Sequence, residues 1–168
     1  GVHQSTMDLE KSLHQQLSEL ERRFAVVAQF TDTRSRFTDL ILRVAETTGQ
    51  RVVVLVDEYD KPILDCITNT ALALQMREAL KDLYSVIKDS YAHIKFALLT
   101  GVSKFSRVSL FSGLNNLTDI TLDAPYSDIC GYTDADVDTV FAPELPGLDR
   151  DEIQRWYNGY NWLGTSVY

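Results

Sequence analysis

The stretch Val52-Val53-Val54-Leu55-Val56-Asp57-Glu58-Tyr59-Asp60 decides the reading of this chain. Five apolar residues, all but Leu55 β-branched, run without a polar interruption. Such a run predicts a strand buried on both faces, as in a parallel sheet. It stops at two adjacent carboxylates, and in doubly wound sheets ligands bind beyond the carboxyl ends of the strands. An apolar strand ending in Asp and then Glu has the make-up of a Walker B element. The Asp holds the water shell of Mg²⁺, and the Glu polarises an attacking water. A buried strand must also end in something polar for structural reasons alone, so the stretch by itself leaves both readings open.

Upstream, Leu9, Leu13, Leu17, Leu20 and Phe24 draw one apolar stripe, which predicts a helix over about 8–24. A second helix is expected from about Arg34, capped by Asp32 or Thr33, through Phe37, Leu40, Ile41 and Val44, with Gly49 stopping it. Downstream, Pro62 interrupts the chain and residues 68–70 offer helix-start chemistry. Leu80, Leu83, Tyr84 and Ile87 then mark a third helix of about 20 residues. A second buried strand follows, from His93 or Ile94 to Thr100. Helix, strand, helix, strand is an α/β order, with the two strands expected as parallel neighbours or near neighbours joined by a right-handed crossover.

Past Gly101 the character changes. Residues 103–116 are rich in Ser, Gly and Asn, as loops are, and Ile120-Thr121-Leu122 is expected as a third short strand. Thr133-Asp134-Ala135-Asp136 should cap a short helix reaching Phe141, and Asp149 should begin another through Ile153 and Trp156. Asn158-Gly159 is a tight-turn signal. The expected organisation is an α/β part over 1–125 and a small helical subdomain over 126–168.

Composition narrows the function. The chain has 168 residues, 45% hydrophobic and 24% charged, which excludes a disordered or collagen-like chain. Its longest apolar run is far shorter than the ~20 residues a bilayer demands, and no export signal is read at its start, so a cytoplasmic protein is expected. The net charge of -8 argues against a general nucleic-acid footprint, which needs clustered basic side chains. Arg22-Arg23 and the pair Arg34, Arg36 are read as solvated surface. Cys66 and Cys130, without a CxxC spacing, are read as free buried thiols rather than zinc ligands.

Thr100 closes the second strand where a polar side chain reaches a γ-phosphate or the attacking water, although threonine is common at strand ends. Lys104 and Arg107 follow in the next loop. They are candidates for phosphate contact, or for a nucleotide in a neighbouring subunit, against the ordinary reading of solvated loop cations. Other chemistries fail. Gly101-Val102-Ser103-Lys104-Phe105 lacks the second glycine of a nucleophile elbow. No lysine has the acidic residue two positions before it that a restriction-type nuclease needs. No Gly-x-x-x-x-Gly-Lys-Ser/Thr occurs in these 168 residues, and without that loop a P-loop protein has no cradle for phosphate.

Five blocks together carry a resemblance: residues 53–64, 98–106, 111–117, Cys130-Gly131-Tyr132-Thr133, and Trp156-Tyr157-Asn158-Gly159-Tyr160. They resemble the AAA-ATPase-like family, a mostly bacterial group whose larger members join a P-loop ATPase domain to a C-terminal restriction-endonuclease-like domain. The resemblance implies the central part of an ASCE-type, AAA-like P-loop NTPase, a three-layer α/β sandwich with a parallel sheet. In it Asp57 is the Mg²⁺-associated Walker B acid, Glu58 the water-polarising base and Thr100 the sensor on the adjacent strand. The family's Walker A would lie upstream of Gly1 and the nuclease-like domain downstream of Tyr168. Binding of ATP and Mg²⁺ is then expected only with the Walker A segment. A homo-oligomer is a further expectation, while neither a membrane nor a directly bound nucleic acid is. The competing reading is a non-catalytic interaction module that keeps the sheet without the hydrolysis. A Gly-Lys-Ser/Thr within about 60 residues upstream favours the ATPase.

Overall fold

Ser5 starts the first helix by accepting the Asp8 amide at 3.2 Å, and α1 runs over Thr6–Arg23. A computed structural model of the chain describes residues 5–102, 116–157, 161–162 and 165–167. Along α1 the apolar stripe is buried at Leu9 and Leu17 and opens to solvent at Leu20 and Phe24. α2 spans Thr33–Thr48, capped by Asp32, whose side chain accepts the Ser35 amide at 2.8 Å. Gly49 closes it in the left-handed region at φ 65°, a conformation that costs a residue with a Cβ about 1 kcal/mol or more.

The two helices are joined by an ion pair that the sequence reading placed in solvent. Arg36 is buried, and its guanidinium grips Glu21 with two bonds of 3.0 and 2.6 Å. Ser18 accepts a third at 2.9 Å, and the His14 ring lies on the same guanidinium. The hydrogen bond to Glu21 raises the Arg36 pKa further above its ordinary value. A two-residue glance at charge could not distinguish this arginine from Arg34, which reaches Asp82 and Asp89 at the exposed surface.

β1 (Val52–Val56) and β2 (Ile94–Leu99) form a two-stranded parallel sheet, with Val54 beside Ala97 and Val56 beside Leu99. Between them lie α3 (Lys61–Leu64), which admits Pro62 in its first turn, and α4 (Thr70–Asp89), capped by Asn69. Proline is tolerated in a first turn because its missing N-H has no intrahelical acceptor there. Met76, Leu80, Val86 and Ile87 of α4 are at most 2% exposed and make the centre of the core.

The expectation of strands buried on both faces is corrected. Val54 is buried, but Val53 is 50% and Leu55 69% exposed, and Lys95 and Phe96 of β2 are open as well. α2 packs against β1, and Val53 and Leu55 stay open along a groove that they line together with residues of α1 and α2.

The chain divides into two compact units, 1–116 and 117–168. In the second, Ile120-Thr121-Leu122 is no strand. The Asp119 carboxylate accepts both the Thr121 amide, at 3.0 Å, and the Thr121 hydroxyl, at 2.6 Å, which folds the backbone into a turn. Thr133 and Asp136 form a reciprocal capping box that opens α5 (Asp134–Val140), and Asp149 caps α6 (Arg150–Trp156). Arg150 ties the two helices through Asp134 and Asp138, at 3.0 and 3.3 Å. The subdomain is not purely helical: β3 (Asn161–Trp162) and β4 (Thr165–Ser166) pair antiparallel. The expected Asn158-Gly159 turn lies outside the described residues. Cys66 is buried as read, whereas Cys130 is exposed, because it follows a turn-rich segment with no helix or strand around it.

Candidate functional site

The parallel ladder does not stop at the last strand residues. The Thr100 amide donates to the Val56 carbonyl and the Tyr59 amide to the Thr100 carbonyl, both at 2.8 Å, so the chain beyond β1 stays laced to the chain beyond β2. The Thr100 hydroxyl completes the lacing by donating to Asp57 Oδ1 while accepting the Glu58 amide at 3.2 Å. Asp57, Glu58 and Thr100 are all exposed. Three of the residues singled out from sequence therefore meet at one end of the sheet, on the side where strand ends present ligand sites.

Glu58 holds an unusual backbone. Its φ is 52°, in the left-handed region that a side chain with a Cβ enters at a cost of about 1–2 kcal/mol. The left-handed residue reverses the chain after β1 at once, so that Tyr59 can return its amide to Thr100. Strain of this kind persists where surrounding contacts over-determine it, and it concentrates at functional sites. No sequence signal announces it, since glycine is the residue expected at such a position.

Below these exposed groups lies a buried layer. Asp60 is completely buried and accepts the Val102 amide on Oδ1 at 3.1 Å. Tyr59 is 8% exposed, and its carbonyl accepts the buried Tyr84 hydroxyl at 3.2 Å. Burial pushes the Tyr84 phenol well above its ordinary range, and the charges of Asp60 and Tyr59 add to it. Gly101 fits because it lacks a Cβ, which would stand 2.4 Å from Tyr59 Cε1 and 2.9 Å from Asp60 Oδ1. The sequence reading gives Tyr59, Asp60 and Gly101 no role of their own at the site. The signal was present in an Asp set three residues beyond Asp57 and a glycine directly after Thr100.

Lys61 turns to Asp65 at 3.0 Å, which raises its pKa, the hydrogen bond contributing most. Asp57, Glu58 and Lys61 stand at one end of a groove of about 830 Å³ whose apolar walls include Leu13, Leu17, Phe37, Val53 and Leu55. Lys104 and Arg107 lie outside the described residues. Among the described residues no group of three or more His, Cys, Asp or Glu comes together as a metal cage, and no helix is long and apolar enough to cross a membrane.

A family model described as Predicted AAA-ATPase matches residues 1–111. The chain is 58% identical over all its 168 residues to an uncharacterised protein from the vnfD 5′ region of Azotobacter chroococcum mcd 1, and spans about a third of that protein's length, 33%. No solved structure matches the chain.

Proposed function

The chain belongs to the predicted AAA-ATPase family, and from that premise we propose that the turns after β1 and β2 are the hydrolytic half of a Mg²⁺-dependent ATPase site on a P-loop sandwich. One observation carries the reading: the Thr100 hydroxyl, from the end of β2, donates to Asp57 at the end of β1. A neighbouring donor that fixes the rotamer of an exposed strand-end carboxylate suits an ion that keeps its waters and takes only one or two carboxylates, as Mg²⁺ does. Asp57 would hold the ion through water. When bound, Mg²⁺ neutralises charge on the phosphate oxygens.

The chain's own residues divide the remaining work. Glu58 accepts the proton of the attacking water, which requires a base within hydrogen-bond reach of it. Thr100 keeps Asp57 oriented and leaves Asp57 Oδ2 for the water shell. Lys104 is assigned to phosphate contact and Arg107 to a neighbouring protomer's nucleotide. An arginine supplied in trans is worth about 10³-fold or more in rate. Partial recovery of turnover on mixing Arg107→Ala with Glu58→Gln subunits supports the trans role, and no recovery removes it. The phosphate cradle is assigned to residues other than these 168, since no Gly-rich loop with Lys-Ser/Thr occurs among them.

Calorimetry with Mg-ATP tests the reading. The 168-residue chain alone binds negligibly, because Asp57 and Glu58 repel an anion unless the metal stands between. The full-length protein binds, and Asp57→Asn weakens the Mg²⁺-dependent part of that binding. Tight binding by the 168-residue chain, or binding by the full-length protein that ignores Asp57→Asn, contradicts it. Full-length protein that binds no nucleotide at all favours the non-catalytic interaction module. Exposed Val53 and Leu55 of β1 are further proposed to promote self-association of the 168-residue chain. A monomer by light scattering rejects that.

A further inference from the structure

We infer that Asp60 is a positioning residue, whose buried carboxyl clamps the Gly101–Val102 backbone so that the Thr100 hydroxyl is held against Asp57. The kinetic half of this inference rests on the ATPase reading; the structural half does not.

The need for a clamp follows from Gly101. A Cβ there would overlap the Tyr59 ring and approach Asp60 Oδ1, so the close packing of the two turns demands glycine. Glycine is also the most permissive backbone, and it sits directly after the residue whose hydroxyl must be aimed. Thr100 is held on its own side, so rigidity on the far side of Gly101 has to come from beyond it. The Val102 amide supplies it by donating to Asp60 Oδ1 at 3.1 Å. Upstream, the Thr100 amide and carbonyl are held by Val56 and Tyr59. Both flanks of Gly101 are thus held by hydrogen bonds.

Asp60 is suited to be the fixed end. It is 0% exposed, and its carbonyl begins α3 by accepting the Ile63 and Leu64 amides, both at 3.0 Å. Its neighbour Tyr59 is anchored to α4 through Tyr84. A carboxyl taken entirely out of water is costly unless partnered, so its acceptor bonds are held tightly. The clamp joins the core helix α4, the turn after β1 and the turn after β2, and its side-chain members Tyr59, Asp60 and Tyr84 are all buried beneath exposed Asp57 and Glu58.

The test compares Asp60→Asn and Asp60→Ala in the full-length protein. Amide hydrogen exchange at Val102 reads the clamp without any activity. Exchange in Asp60→Ala rises by up to about tenfold, the loss expected when a hydrogen bond of ordinary strength is removed. Asp60→Asn, which keeps an acceptor oxygen, falls between it and wild type. Should Asp60→Ala not fold, Asp60→Asn alone must still show raised exchange. Val102 exchange unchanged in the folded variants overturns the clamp.

Turnover then tests positioning. Asp60→Ala lowers kcat with KM for Mg-ATP little changed, and Asp60→Asn recovers part of it. On a Thr100→Ala background Asp60→Ala costs almost nothing further in kcat, because its effect passes through that hydroxyl. An equal further loss on both backgrounds overturns the positioning role. Wild-type protein without ATPase activity sinks the hydrolytic reading instead, and the exchange result still decides the clamp.

Discussion

Among the described residues of the first unit, two buried polar clusters differ in what they leave outside. Between α1 and α2, Glu21 and Arg36 are both buried and answer each other with two hydrogen bonds. The cluster locks two helices together and presents little to solvent. Beneath the turns after β1 and β2, the buried Asp60 spends a bond on backbone, and the backbone so held carries exposed Asp57, Glu58 and Thr100. A buried charge that ends on another side chain is architecture. A buried carboxyl that also holds the backbone of a turn bearing oriented, exposed carboxylates marks a candidate site.

The comparison breaks first at the helix pair. Arg36→Ala strands the Glu21 carboxylate and should cost about 3–5 kcal/mol in denaturant titration, whereas replacing both partners by leucine should be close to neutral. A loss below about 1 kcal/mol for the single change would put the pair among weak surface bridges.

Glycines sharpen it next. Gly101→Ala forces a Cβ against Tyr59 and Asp60 and should cost about 1–3 kcal/mol, as overpacking does, together with turnover in the full-length protein. Gly49→Ala meets nothing within 4 Å and should cost only the left-handed backbone, about 1 kcal/mol, with turnover kept. Equal effects on turnover would erase the distinction between the two regions.

The smallest effect has the opposite sign. Glu58→Gly relieves the backbone at φ 52° and should raise stability by about 1 kcal/mol while removing the proposed base. A stability gain coupled to lost turnover is the signature of strain held for function. A loss of stability would show that the Glu58 side chain contributes more than its backbone costs.

Much of this was legible before any coordinates. The 3.6-residue stripes mark α1, α2 and α4, the cap of α2 is narrowed to Asp32 or Thr33 and its end to Gly49, and the two apolar runs read as parallel neighbours or near neighbours; the structure selects Asp32 and direct pairing. Local rules reach that far because caps and periodicity are short-range chemistry. They missed the buried Arg36, whose partner lies 15 residues away on another helix, and the open faces of Val53 and Leu55, since coverage depends on elements a strand's own sequence does not contain. They also misread Ile120-Thr121-Leu122, where a single Asp119 outweighed strand propensity. At the site, Asp57, Glu58 and Thr100 were read from strand ends. Asp60 and Gly101 were not, because their roles arise only when two turns 42 residues apart come into contact.

Whether these turns carry hydrolysis is decided by Glu58→Gln in the full-length protein, measured as single-turnover release of γ-phosphate beside equilibrium binding of Mg-ATP. The amide keeps the side chain's shape but cannot take a proton. Binding should stay near wild type while release falls by about 10²-fold or more, the range a positioned general base supplies. Release at the wild-type rate with binding intact would remove Glu58 from the chemistry and the hydrolytic reading of the site with it.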